Sequence, residues 1–118
     1  MQTDAASELK TRLRADLREA MKARNTLEAR VIRSLVAALD NAEAPAVTES
    51  QPGSVRHQFA AGSAEVERLL LDGPQVRDVV RAESEERERA AAEFDRLGLP
   101  DRAAELREEA EVVRRYLA

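Results

Sequence analysis

Leucine, valine, isoleucine and alanine recur three and four residues apart along most of this chain, and no other feature constrains its fold as strongly. Residues spaced in this way lie on one face of an α-helix, so each such segment must bury that face against a neighbour. Aromatic residues make up only 3% of the 118 residues, and cysteine is absent. A core of aliphatic side chains suits packed helices better than a sheet. The sequence therefore predicts an all-α domain.

Breaks in this spacing divide the single predicted domain, residues 1–118, into five helices. We expect an N-terminal antiparallel helix pair, a loop rich in proline, glycine and serine, a short third helix and a long C-terminal helical hairpin. In chain order these segments are 4–43 for the helix pair, 44–62 for the loop, 63–72 for the short helix and 74–117 for the hairpin.

Capping residues mark the predicted helix ends. Thr3 or Asp4 suits the N-cap of the first helix, and Asn25, with an acid three residues later, predicts a capping box at the second. The sequence Gly98-Leu99-Pro100 interrupts a run of helix-forming residues. Glycine suits a helix end that needs a positive φ, and proline can begin the next helix. We interpret this break as the turn of the hairpin and not as a catalytic feature.

No pattern of catalytic, metal-binding or cofactor-binding residues occurs in the sequence. The only histidine, His57, lies in the predicted loop, and the four glycines form no phosphate-binding motif. Acids of the hairpin are interleaved with arginines, as on a solvated helix face. We therefore predict no catalytic residue, no metal and no cofactor. No segment is apolar enough to span a membrane, so we expect a soluble, cytoplasmic protein.

Basic residues concentrate in the N-terminal part of the chain. Residues 1–40 carry eight Lys/Arg against six Asp/Glu, whereas residues 41–118 carry eleven against seventeen. Four cations recur every fourth residue of the first helix, and a fifth lies on the second helix. They can contact phosphate, or their long side chains can flank the apolar stripe and reach outward to water. The candidate RNA contacts are Lys10, Arg14, Arg18, Lys22 and Arg33.

Three blocks in this order resemble the YqeY family, whose members are related to the tail domain of the GatB subunit of tRNA-dependent amidotransferases. The blocks are "LRADLREAMKAR" (13–24), "VIRSLVAALDNAE" (31–43) and "EFDRLGLPDRAAELREEAEVVRRYL" (93–117). The chain is similar to a short form of the family that lacks a second C-terminal helical module. Lys22 and Arg33 coincide with basic positions that recur in the family.

The resemblance implies an accessory helical module without an active site of its own, because the related tail helps to hold tRNA while other domains transfer the amide. Its expected partners are tRNA or an amidotransferase-like protein that uses glutamine. The alternative is a protein–protein adaptor that uses the charged hairpin. Two copies of the chain could also associate through this hairpin. An enzyme in its own right is the third and least favoured interpretation.

Overall fold

The computed structural model describes residues 4–45 and 68–118, and these residues form helices without any strand. No helix in the described ranges has the length and apolar character needed to cross a membrane. The helices are α1 (Ala5–Lys22), α2 (Thr26–Glu43), α3 (Gly73–Arg96) and α4 (Pro100–Arg114), and a 3-10 turn (Arg115–Leu117) ends the chain's helical part.

The predicted short helix over 63–72 is not present in the part that can be compared. Residues 68–72 have no helical structure, and residues 63–67 lie outside the described ranges. The prediction takes Ser63 as the cap and Val66 with Leu69, Leu70 and Leu71 as the apolar face. Of the leucines, Leu69 and Leu70 are exposed and Leu71 is buried. Most of the predicted 44–62 loop also lies outside the described ranges.

Side-chain caps begin the first two helices where the sequence predicts them. The Asp4 carboxylate accepts a hydrogen bond from the Ser7 N–H at 2.9 Å. The Asn25 side chain accepts one from the Glu28 N–H at 3.0 Å. Each bond satisfies a backbone donor that the first turn of a helix leaves free. The three residues between α1 and α2 therefore form a tight turn that places the helices side by side.

The turn between α3 and α4 is built on Gly98, as predicted. Its φ is 75°, and its N–H donates to the Asp95 carbonyl at 3.0 Å. The next N–H, of Leu99, donates to the Phe94 carbonyl at 2.8 Å. This pair of bonds is the Schellman motif, which ends a helix by reversing the chain. Two ion pairs join α4 to α3, Arg107 to Asp95 and Arg114 to Glu88. The later residue of α4 thus pairs with the earlier residue of α3.

The same motif ends α1, but here a residue with a side chain adopts the left-handed conformation. Arg24 has a φ of 60°, and its N–H donates to the Met21 carbonyl at 3.1 Å. The Asn25 N–H closes the motif on the Ala20 carbonyl at 2.9 Å. The sequence has no glycine at this point, so the strained backbone at Arg24 is a finding of the structure.

Arg24→Gly is expected to stabilise the fold by about 0.5–1 kcal/mol. Glycine adopts a positive φ freely and loses part of that gain through the greater freedom of its unfolded chain. Urea denaturation measures the difference from the wild type. Arg24→Ala is the matched control, because it removes the same side chain but keeps a Cβ atom. A glycine variant no more stable than the alanine variant would show that the backbone at residue 24 is not strained.

The apolar side chains form two separate clusters. The larger joins α1, α2 and the inner parts of α3 and α4, and its largest fully buried members are Leu13, Val31, Ile32, Leu35, Leu39, Val80 and Val113. The smaller contains Ala91, Ala103 and Leu106, with Ala90 and Phe94 packed against it. All five lie between residues 90 and 106, a segment of α3 and α4 that we call the outer arm. The outer arm thus has an apolar cluster of its own.

Candidate functional site

Lys10, the first of the predicted RNA contacts, is buried and already paired. Its side chain is 5% exposed, and its Nζ lies 2.6 Å from Glu43 Oε1 and 2.9 Å from Asp40 Oδ1. Glu43 is also buried, and Arg68 reaches its carboxylate at 3.2 Å. Burial disfavours the charged lysine, but the hydrogen bonds to Glu43 and Asp40 outweigh it and raise the pKa of Lys10. Lys10 therefore links α1 to the end of α2 and is not presented to a ligand.

The other three predicted contacts on α1 are exposed. Arg14 and Arg18 have no acidic side chain within 4.0 Å among residues 4–45 and 68–118. Lys22 makes one loose ion pair with Glu19 at 3.6 Å, in which both side chains are about three-quarters exposed. Exposed pairs of this kind contribute little and exchange readily with other anions.

Arg33 joins these cations from α2. Its guanidinium lies 3.7 Å from the Met21 sulfur, in the last turn of α1 and next to Lys22. Arg24, in the intervening turn, is exposed as well. Within the described ranges neither arginine has an acidic partner. We call Arg14, Arg18, Lys22, Arg24 and Arg33 the basic surface. It contains four of the five residues predicted from the sequence.

Arginines elsewhere in the structure are mostly neutralised. On α3 and α4 six of them contact carboxylates, in the pairs Arg81–Asp78, Arg87–Glu109, Arg96–Glu93, Arg102–Glu105, Arg107–Asp95 and Arg114–Glu88. Arg30, which also lies on α2, contacts Glu105 and Glu109. Arg77 and Arg89, both exposed on α3, are the exceptions without a carboxylate partner in the described ranges. The basic surface therefore differs in grouping four arginines without an acidic partner on two adjoining helices and the turn between them.

A cleft opens at the turn between α1 and α2, beside the basic surface. Its volume is about 360 Å³, and it is lined by Ala20, Met21, Arg24, Asn25, Thr26, Ala29 and Arg33. Met21 is 54% exposed although it is one of the larger apolar residues of α1. We call this feature the turn cleft. It combines an apolar floor with two guanidinium groups at its edge.

A polar network that periodicity does not predict joins α2, α3 and α4. Arg87 donates to Glu109 at 3.1 Å, to Glu83 at 3.0 Å and to the Ser34 hydroxyl at 2.8 Å. The second oxygen of Glu109 accepts from Arg30 at 3.0 Å. The Arg87 and Glu109 side chains are only 12% and 10% exposed. No buried side-chain nitrogen or oxygen in the described ranges lacks a hydrogen-bond partner, which indicates a structural role for this network.

Tyr116, in the final 3-10 turn, makes a further contact between distant parts of the chain. Its hydroxyl donates to Asp16 on α1 at 2.6 Å, and Arg12 lies 4.6 Å from the centre of its ring. Burial, together with the hydrogen bond to the Asp16 carboxylate, raises the pKa of Tyr116 well above its ordinary value. The tyrosine stays neutral and ties the end of the helical part to α1.

Metal-binding groups are not assembled in the described ranges, where no three His, Cys, Asp or Glu side chains could hold an ion together. Comparison with protein-family models, characterised proteins and solved structures gives no match. The candidate functional site is therefore defined by geometry alone, as the basic surface and the adjoining turn cleft.

Proposed function

We propose that the protein is an accessory, non-catalytic helical module that binds RNA, with tRNA as the preferred class, through the basic surface. The observation that carries the proposal is the contrast in ion pairing. Arg14, Arg18, Arg24 and Arg33 have no acidic partner in the described ranges, while most arginines of α3 and α4 do. Exposed cations without partners lose little when they contact phosphate and gain from the release of counterions.

The spacing of the cations on the basic surface favours contact with RNA phosphates over sequence-specific contact with bases. Arg14, Arg18 and Lys22 succeed one another at one-turn intervals of about 6 Å along α1. Such a row can follow successive phosphates, and its binding is expected to depend on salt and little on sequence. The resemblance of 13–24, 31–43 and 93–117 to the YqeY family supports tRNA, or an assembly with an amidotransferase-like protein, as the setting.

The test is fluorescence-anisotropy titration of labelled bulk tRNA at several salt concentrations. The variant Arg14→Gln/Arg18→Gln/Lys22→Gln is expected to bind at least about tenfold more weakly at low salt, and to reduce the slope of log K against log salt by about 2. Lys10 is left intact because it is buried. Glutamine preserves helix propensity, so circular dichroism should be unchanged.

The matched control is Arg77→Gln/Arg81→Gln/Arg89→Gln, which removes three exposed cations from α3 and changes the net charge equally. It is expected to bind tRNA within about threefold of the wild type at physiological salt, because none of the three belongs to the basic surface and salt screens charges that do not contact phosphate. Equal weakening by both variants would show that only net charge matters. Absence of wild-type binding at low salt would overturn the proposal.

A second candidate is the protein–protein adaptor, and one specific observation favours it. Leu97 and Leu99, at the turn between α3 and α4, are 61% and 48% exposed. Two neighbouring leucines on a projecting turn offer apolar surface that binding another protein can bury. RNA binding unaffected by both triple variants, together with a protein partner lost on Leu97→Asp/Leu99→Asp, would favour this function over the first.

A further inference from the structure

Phosphate binding leaves the apolar floor of the turn cleft unexplained. Ala20, Met21 and Ala29 line it, and phosphate gains nothing from contact with methyl and thioether groups. Its volume, about 360 Å³, lies within the range of small-ligand sites and gives ample room for a leucine side chain. No residue of α3 or α4 lines it, so the chain's own turn between those helices does not fill it. An occupant that matches both the floor and the two guanidinium groups carries an apolar group close to negative charge.

The turn between α3 and α4 has this chemistry. We call residues 97–99 the arm tip. Both of its leucines are exposed, and the Schellman bonds at Gly98 hold them in a fixed turn. Residues 93–101 carry three Asp/Glu and one Arg, whereas residues 14–33, around the turn cleft, carry six Lys/Arg and three Asp/Glu. Glu93 and Asp95 are paired with Arg96 and Arg107, so Asp101 supplies the unpaired negative charge beside the arm tip. This charge is opposite in sign to the guanidinium groups of Arg24 and Arg33 at the turn cleft.

The outer arm is also built to present the arm tip away from the body. Its apolar cluster of Ala91, Ala103 and Leu106 is separate from the main core. Asp95 and Arg107 pair across it at 2.6 Å, which further ties α3 to α4. A preorganised apolar turn loses little conformational entropy on binding.

We propose that the turn cleft binds the arm tip of a second copy of this chain, with Leu97 or Leu99 on its apolar floor and Asp101 facing Arg24 or Arg33. Asp101 is exposed and has no basic partner in the described ranges. The contact is small, because a turn and a cleft bury less than a standard interface. We expect self-association with a Kd of about 10–100 µM that weakens as salt rises. The inference does not rest on RNA binding.

Sedimentation equilibrium of the purified chain without RNA tests the proposal, over concentrations from about 1 to about 300 µM. The weight-average mass of the wild type is expected to rise above the monomer value of 13.1 kDa. Leu97→Asp/Leu99→Asp and Arg24→Glu/Arg33→Glu should each stay monomeric throughout. Leu70→Asp is the matched control, since Leu70 is 75% exposed but lies outside both surfaces, and it should associate like the wild type.

Mixing the two monomeric variants separates this contact from a general loss of solubility or folding. The first variant keeps its turn cleft and the second keeps its arm tip, so together they can form one intact contact and the mass should rise again. A wild type that remains monomeric at the highest concentration overturns the proposal. So does association that survives in both variants, which would place the interface elsewhere, or a mixture that stays monomeric.

Discussion

Lys10→Met is expected to lower the free energy of unfolding by about 3 kcal/mol, near the lower end of the cost of breaking a buried ion pair. Methionine fills nearly the same space but leaves the Glu43 carboxylate, only 4% exposed, without its closest cation. Arg68 still reaches Glu43 at 3.2 Å, which is why the loss is not larger. Urea denaturation followed by far-UV circular dichroism gives the value.

Two further variants assign the loss to the unpaired carboxylate. Arg14→Met lies one turn farther along α1 on an exposed position, removes the same charge, and should stay within about 0.5 kcal/mol of the wild type. Lys10→Met/Glu43→Leu removes both buried charges and should recover most of the loss, because an apolar pair needs no desolvation of ions. A single variant as stable as the wild type, or a double variant less stable than the single, would contradict this account.

The position of Lys10 shows where sequence reasoning about the basic residues was incomplete. The spacing of four places Lys10 in a row with Arg14 and Arg18, but Ala6, Lys10 and Leu13 are also four and three residues apart. Ala6 and Leu13 are fully buried, so the apolar spacing determines where Lys10 points. Its ion-pair partners, Asp40 and Glu43, lie thirty or more residues away in the sequence. Periodicity within one helix does not predict contacts between residues so far apart.

Helix ends were the part of the fold that the sequence predicted well, because their determinants are local. Asp4 and Asn25 cap by bonds to residues three positions on, and Gly98 provides the positive φ within its own turn. Arg24 adopts a similar conformation without glycine, since the short turn between α1 and α2 requires it there. The predicted helix over 63–72 is absent at 68–72, where Leu71 packs into the main core from a segment without helical structure while Leu69 and Leu70 are exposed.

Arg87→Lys is expected to cost about 2 kcal/mol, an unusually large effect for a substitution that keeps the charge. The guanidinium donates in three directions, to Glu109, Glu83 and Ser34. A lysine has one nitrogen at the end of a flexible chain and cannot meet all three acceptors from one position. The acceptors left without a bond lie in a largely buried setting, where each costs about 1–3 kcal/mol before partial repair by the lysine or by water.

Thermal and urea denaturation of Arg87→Lys are compared with those of Arg89→Lys. Arg89 lies two residues along α3, is exposed, and has no carboxylate partner in the described ranges, so its replacement should change stability by less than about 0.5 kcal/mol. Glu109→Gln should be intermediate, because the amide oxygen still accepts one bond while its NH₂ group faces a guanidinium donor. Since Arg87 joins α3 to α2 and α4, equal effects of Arg87→Lys and Arg89→Lys would mean that its three hydrogen bonds add nothing to the stability of the fold.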